Sequence, residues 1–254
     1  MSARPVLVCA AAGALVASAC SGGSSLAGRA RSDAGRIAAQ EAAVVAASRR
    51  LLVSLAGAPQ VFDARCPAFL AERARGLTQY TSLVALDAHG DLTCISVPST
   101  TPVNAADRSY FRRAVASGAF AVGDYQLGRV SGKASVAFAY PVFDSHRRLR
   151  RMLLAPLDLA WANAHLAVSG VPKGAEVLVV DRPGTILVRW PAPDRWVGRP
   201  LAGSALRGAL LGRGSGAVEA VGADGVRREY GVVAVAGTAG DLRVAVGLPM
   251  PTSR

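Results

Sequence analysis

Lysine is almost missing from this 254-residue chain. Lys133 and Lys173 are its only two, so nearly all of the 29 basic residues are arginine, against 17 acidic ones and for a net charge of +12. A GC-rich genome produces that bias, and arginine also suits the gripping of carboxylates and phosphates. Histidine is scarce as well: His89, His146 and His165 stand alone, with no pair at metal-ligand spacing. There is no CxxC, no HExxH and no GxSxG, which leaves no expected metal centre, cofactor or catalytic residue. The stretch from Gly128 to Ala134 approximates a phosphate loop but is one residue short, and Ala134 stands where Ser or Thr is required. Ser131 and Lys133 have no supporting motif as a nucleophile and base. Basic residues are scattered, and the densest run, His146 to Arg151, falls at a hairpin turn. Without a basic face carrying aromatics, nucleic acid is not an expected partner. No apolar run reaches the roughly 20 residues of a comfortable membrane span.

Hydrophobic residues make up 51% of the chain, enough for a packed core. The N-terminus has the layout of an export signal: a short basic start to Arg4, an apolar stretch from Val6 to Val16, then Ala17-Ser18-Ala19 and Cys20. Residues 1–20 read as a signal peptide or a lipoprotein signal with Cys20 as the lipidation site, or as an uncleaved anchor. Each reading places the remainder outside the cytoplasm, in the periplasm, membrane-anchored by lipid or by the N-terminal segment. With Cys9 and Cys20 in that segment, only Cys66 and Cys94 remain in the body. Two such cysteines in an oxidising compartment most simply form one disulfide, the alternative being two separate buried thiols.

Residues 21–56 read as a tether followed by one long helix over 32–55. Ile37, Val44 and Leu51 repeat every seven residues, as in one seam of a coiled coil, while Glu41 and Ser48 interrupt the companion seam. The helix can pair with a second copy or lie along the domain behind it. Beyond a short helix from Cys66, the pattern is strand, Gly turn, strand, polar loop, helix and three strands. Asp107 is the expected N-cap of that helix, with Gly118 ending it. The same order recurs in shorter form about 95 residues later, after a helix beginning at Leu159. The expected fold class is α+β, with two similar modules that each carry a curved antiparallel sheet, over 57–170 and 171–250.

Asp107-Arg108-Ser109-Tyr110-Phe111, Gly123-Asp124-Tyr125, Gly128-Arg129 with Gly132, Tyr140-Pro141-Val142 and the acid of Pro156-Leu157-Asp158-Leu159 follow one another in this order. With the long helix and the repeat, they resemble the double Cache (dCache) sensor domains of bacterial chemoreceptors, histidine kinases and diguanylate cyclases, over roughly residues 30 to 249. The resemblance implies two PAS-like modules in tandem, the first membrane-distal and the second membrane-proximal. It implies a small-molecule ligand, an amino acid, amine or carboxylate, in the distal module, and no enzymatic activity. Arg108, Tyr110 and Asp158 fit the family's Arg, aromatic and Asp places, whereas Phe111 lacks the hydroxyl of the second aromatic and Val103 stands at the leading Tyr. Tyr125, Arg129 and Tyr140 are further ligand-binding candidates. The Cys66 and Cys94 pair looks like one found in some sensors of this type. A membrane-bound signalling partner and a homodimer through the long helix are the partners implied. The competing expectation is a structural or interaction lipoprotein of the same fold without a ligand, or a truncated receptor, since no output domain follows the second module in this sequence.

Overall fold

The computed structural model describes residues 25–250 apart from 167, 169, 202, 203 and 213. The signal segment and Cys20 lie outside the described residues. The first described element is helix α1, Leu26–Ala56, which starts six residues before the periodic pattern does because Ser25 caps it, its Oγ accepting from Gly28 N at 3.1 Å. Ala30, Ala34, Ile37, Ala38, Val45, Ser48, Leu52 and Leu55 are buried, and this line faces the rest of the chain. The helix therefore lies along the domain, packed on strands of both sheets. The two polar residues that interrupt the expected seam are on this inward side. Ser48 is fully buried, donates to Val44 O at 2.8 Å and shares a 2.7 Å hydrogen bond with Tyr80 Oη. Among the described residues no helix is long and apolar enough to cross a membrane.

After a single 3-10 turn, α2 (Cys66–Arg73) leads to β1 (Val84–Leu86) and β2 (Leu92–Ile95). Helix α3 (Ser109–Ser117) precedes β3 (Ala121–Leu127), β4 (Ala134–Phe143) and β5 (Leu149–Asp158). The connector α4 (Leu159–Ala164) begins the second half, with β6 (Glu176–Val180), β7 (Ile186–Trp190), α5 (Ser204–Leu211), β8 (Gly216–Val221), β9 (Arg227–Ala234) and β10 (Arg243–Pro249). The two five-stranded antiparallel sheets run in the orders β2-β1-β5-β4-β3 and β7-β6-β10-β9-β8. The order is the same in both, so the repeat visible in the sequence is a repeat of topology.

Alternation along each strand divides the core into three parts. Val136 and Phe138 on β4 and Leu153, Ala155 and Leu157 on β5 face α1, where they join Val177, Val179, Val244 and Val246 of the second sheet in one shared central core. Ala137, Ala139, Met152 and Leu154 face the other way, under α3, with Tyr110, Phe111 and Ala114. The second sheet has its own outer core of Leu178, Val180, Ile186, Tyr230 and Val232, covered by Leu206 and Leu210 of α5. Cys66, opening α2, and Cys94, in β2, are joined by a disulfide with Cα atoms 6.0 Å apart. It fixes α2 to the edge strand on which it packs.

Candidate functional site: a cavity over the first sheet

The outer face of the first sheet does not close completely under α3. A cavity of about 60 Å³ remains over β1 and β5. Its walls are mostly aliphatic: Val84, Leu86, Leu92, Ile95, Val103 and Leu154 are among them. Arg108 and Tyr110 reach it from the start of α3, and Gln126, Arg129 and Ser131 from the β3–β4 hairpin. The loop before α3 is held in place by the β1–β2 turn. Asn104 Nδ2 donates to His89 O at 2.9 Å and to Asp91 Oδ1 at 2.7 Å, and Leu92 N donates to Val103 O at 2.8 Å. Gly90, at φ +85°, allows that turn to lie directly on Ala106, which a Cβ there would meet at 2.6 Å.

Asp107 does not cap α3. The N-cap position falls on Arg108, with no side-chain cap, and the Asp107 carboxylate instead receives Arg129 as a fork, Nη1 to Oδ1 at 2.8 Å and Nη2 to Oδ2 at 2.7 Å. A guanidinium matches both oxygens of a carboxylate at once, a better geometry than one backbone N–H offers. That hydrogen-bonded partner lowers the Asp107 carboxyl below its ordinary value. Arg129 also donates to Asn104 O, so the residue strengthens the cavity rim. Arg108 is differently placed. Its one hydrogen bond is a long one, Nη2 to Leu127 O at 3.4 Å, which leaves most of its donors unassigned among the described residues. Tyr110 is buried, and burial pushes its hydroxyl up to about 12 against the opposing pull of Arg108 and Arg129. It stays protonated, a donor at any physiological pH, with no protein partner among the described residues.

Three other candidates lie away from this cavity. Tyr140 has the parity of Val136 and Phe138 and packs toward the central core. Tyr125 also packs toward that core, and its backbone N–H donates to Asp181 Oδ2 of the second half at 2.9 Å. Asp158 caps α4, its Oδ1 accepting from Ala160 N at 2.9 Å, while Oδ2 receives Lys133 Nζ at 2.9 Å. Gln126 and Ser131, not among the expected ligand contacts, reach the rim from the hairpin, and Val103, at the place of the leading Tyr, does line the cavity although it lacks a polar group.

The corresponding face of the second sheet is filled. Tyr230 is fully buried there, with its ring against Gly247 and its hydroxyl donating to Glu176. Glu176, also fully buried, accepts from Arg189 Nε at 2.6 Å and Nη2 at 2.5 Å. Arg228 completes the group, holding Asp224 by two 2.8 Å bonds and Gly174 O at 2.9 Å, and Arg189 stacks 4.3 Å from the Trp196 ring. Two cations face two carboxylates, so the buried charges are matched within the protein. The same topology thus carries an open cavity in one module and a saturated ionic cluster in the other.

The fold is a tandem one, a long helix bearing two PAS-like sheets, and comparison with known proteins finds it elsewhere. No family model matches the chain. Sporulation kinase D of Bacillus subtilis (strain 168) is 31% identical over 83 residues, a stretch that spans 33% of this chain and only 16% of the kinase. Among solved structures, the extracellular domain of a protein described as a histidine kinase, rpHK1S-Z16, superposes with a TM-score of 0.74 at 18% identity, covering 87% of this chain and 93% of that one. The ligand-binding domain of the Pseudomonas aeruginosa PAO1 amino-acid chemoreceptor PctB, in complex with L-Arg, gives 0.69 at 17% identity, with 87% of each chain covered. The periplasmic sensory domain of the Campylobacter jejuni chemoreceptor Tlp1 gives 0.67 at 12% identity, covering 90% of this chain and 98% of that one. The chain has the double-Cache fold of these three domains, which are described as extracellular, ligand-binding and periplasmic sensory domains.

Proposed function

We propose that this chain is an extracytoplasmic sensory module whose first sheet, the distal one in the division 57–170 and 171–250, binds a small carboxylate. The observation that carries this reading is the cavity over β1 and β5, where Arg108 and protonated Tyr110 converge on an otherwise aliphatic space. Arg108 can offer two parallel N–H donors to a carboxylate, Tyr110 a third from its hydroxyl, and the apolar walls keep water from competing. The lining contains no Asp or Glu. The two acids nearby in sequence are committed, Asp107 to Arg129 and Asp158 to Lys133 and the cap of α4. An amine or the ammonium group of an amino acid therefore finds no carboxylate inside. Of the three ligand classes expected, a carboxylate with a short aliphatic body fits best.

The N-terminal export pattern and the sensory domains of the same fold support an extracytoplasmic address. Anchoring through Cys20 or an N-terminal segment, a membrane-bound partner that reads α1, and a homodimer through the outward face of α1 belong to the same proposal. A ligand-free structural role calls for a distal face as filled as that of the second sheet, and it is not filled.

Isothermal titration of the purified protein with short monocarboxylates, alongside amino acids and amines, tests the reading. A saturable response to a carboxylate is expected, weakened at least about tenfold in Arg108→Ala, the loss of a charge-assisted pair. Arg129→Gln, which loosens the rim, is expected to have a smaller effect. Binding of amino acids in preference to carboxylates, or an unaltered affinity in Arg108→Ala, overturns it.

A further inference from the structure

On the opposite side of the first sheet from the carboxylate cavity, α1 and α4 leave a crevice of about 40 Å³ between them. Gln40, Glu41 and Val44 of α1 face Leu157 of β5 and Trp161 and His165 of α4 across it. Two of its polar groups offer unpaired oxygens. The Glu41 carboxylate has no hydrogen bond or ion pair with any described residue. Gln40 Oε1 is buried and without a partner. His165 stacks on Trp161 with ring centroids 4.3 Å apart, and its Nδ1 meets Trp161 O at 2.9 Å. A carbonyl only accepts, so Nδ1 carries a proton. The Trp161 ring adds a π face, which attracts cations.

An unpaired buried acceptor such as Gln40 Oε1 is costly and needs an account, the more so beside a half-buried carboxylate, Glu41, that has no partner among the described residues. Unpaired oxygens, an aromatic ring and the lack of any Lys or Arg in the lining describe the complement of a positively charged donor. A metal ion is a poor fit, since no group of three or more metal-ligating side chains occurs among the described residues. We propose that this crevice is a second binding site, one that takes a small primary ammonium cation. The ammonium donates to Glu41 and Gln40 Oε1 and lies against the Trp161 ring. The space admits a headgroup the size of methylammonium, a few waters' worth of volume.

The location gives such a cation an influence on both modules. Behind Glu41 the lining passes to Val136 and Leu157 of the first sheet and to Val179, Leu187 and Val188 of the second. Helix α4 is tied to β7 by Asn163, whose Nδ2 donates to Leu187 O at 3.0 Å and whose Oδ1 accepts from Arg189 N at 3.0 Å. The site thus joins the long helix, the connector and both sheets.

Occupancy is linked to pH. Burial raises the Glu41 carboxyl from 4.5 to about 7. Among the described residues that line the crevice, His165 is the only other titratable side chain; α1 presents Gln40 and Val44, β5 presents Leu157, and β6 and β7 present aliphatic groups. A cation that pairs with the carboxylate must displace its proton below about pH 7, so affinity rises there by up to about tenfold per pH unit and levels off above it.

Thermal unfolding of the purified protein in methylammonium chloride, against sodium chloride at equal ionic strength, tests the proposal from pH 5.5 to 8.5. A saturable rise in Tm specific to methylammonium, larger at pH 8 than at pH 6, is expected. Glu41→Gln, nearly isosteric with the protonated acid, should fold, lose that increment and keep the carboxylate response of the other cavity. Gln40→Leu should weaken it several-fold. Equal responses to the two salts, or an increment that survives in Glu41→Gln, overturn the site. A Tm that follows pH but not the cation also overturns it and leaves a titrating residue without a ligand.

Discussion

Gly123 and Tyr110 show how one residue without a side chain decides where another goes. A Cβ on Gly123 would come within 3.1 Å of Tyr110 Cδ1 and 3.2 Å of the Ala137 carbonyl oxygen. The carbonyl belongs to a sheet and cannot retreat, so the ring would have to leave the position from which its hydroxyl serves the cavity. Gly123→Ala is expected to destabilise by about 1–3 kcal/mol through overpacking and to weaken carboxylate binding in parallel, measured by denaturant unfolding and titration of one preparation. At this scale the sequence reveals which residues are chemically expressive but not which face they occupy. Arg108, Tyr110 and Arg129 do share the cavity. Tyr140 does not, and the strand holds the clue: in Val136-Ala137-Phe138-Ala139-Tyr140 the large residues alternate with alanines. The large set faces the central core and the small set packs under α3, so Tyr140 has the parity of packing. Asp158 has the parity of Leu154 and Pro156, but it ends its strand and is claimed by the next helix and by Lys133. No local pattern records that competition.

Whole elements were more legible than their facings. The order of strands and helices follows from the sequence, because turn residues punctuate both ends of strands such as β4 and β8. Helix α1 is the instructive case. Ile37, Val44 and Leu51 suggest one seam, but the fully buried line runs through Ile37, Val45, Ser48, Leu52 and Leu55, with Val44 and Leu51 only half-buried. Glu41 and Ser48 are unfavourable in a coiled-coil seam and become intelligible only beside Tyr80, Trp161 and His165, which come from distant parts of the chain. Helix α2 is too short to persist unaided, and its disulfide to β2 supplies what length does not. The bridge joins residues 28 apart, for which loop entropy gives about 3 kcal/mol. Cys66→Ala combined with Cys94→Ala, or reduction of the native protein, is therefore expected to lower Tm by about 6–12 °C, read by calorimetry with and without reductant. An equal Tm in both conditions would show that α2 is held by packing alone.

At the scale of the molecule the question is how an event in the first sheet reaches the second. Helix α3 presents Arg108 and Tyr110 to the cavity at its start and Arg113 to the second module one turn later. Arg113 Nη2 grips Asp124 at 2.7 and 2.9 Å, Nη1 donates to Val122 O at 2.8 Å, and Nη1 lies 3.8 Å from Asp241 in the β9–β10 turn. Beside it, Tyr125 N donates to Asp181 Oδ2 at 2.9 Å, and the Tyr125 ring sits so close to Gly198 that a Cβ there would approach within 2.6 Å. Any displacement of α3 by a ligand must therefore be transmitted to, or resisted by, the second sheet. The central core shared with α1 binds both modules further, so unfolding in one calorimetric transition is expected. Burial raises the Asp241 carboxyl, with Arg113 and Arg182 acting in the opposite direction. A group with a raised pKa gives stability at low pH that is lost as pH rises, and removing a cation beside it deepens that loss. Arg113→Ala also releases Asp124, and both lost pairings exist only when the carboxylates are ionised. The variant should thus lose less stability at pH 3, where the lost bond to Val122 O remains, than at pH 7, where the deficit is about 2 kcal/mol, with its single transition broadened or split in two. A deficit of equal size at both pH values would assign Arg113 a packing role and remove the ionic link between the modules. A pH-dependent deficit accompanied by unchanged carboxylate affinity would place that link after the binding step, where a sensor needs it.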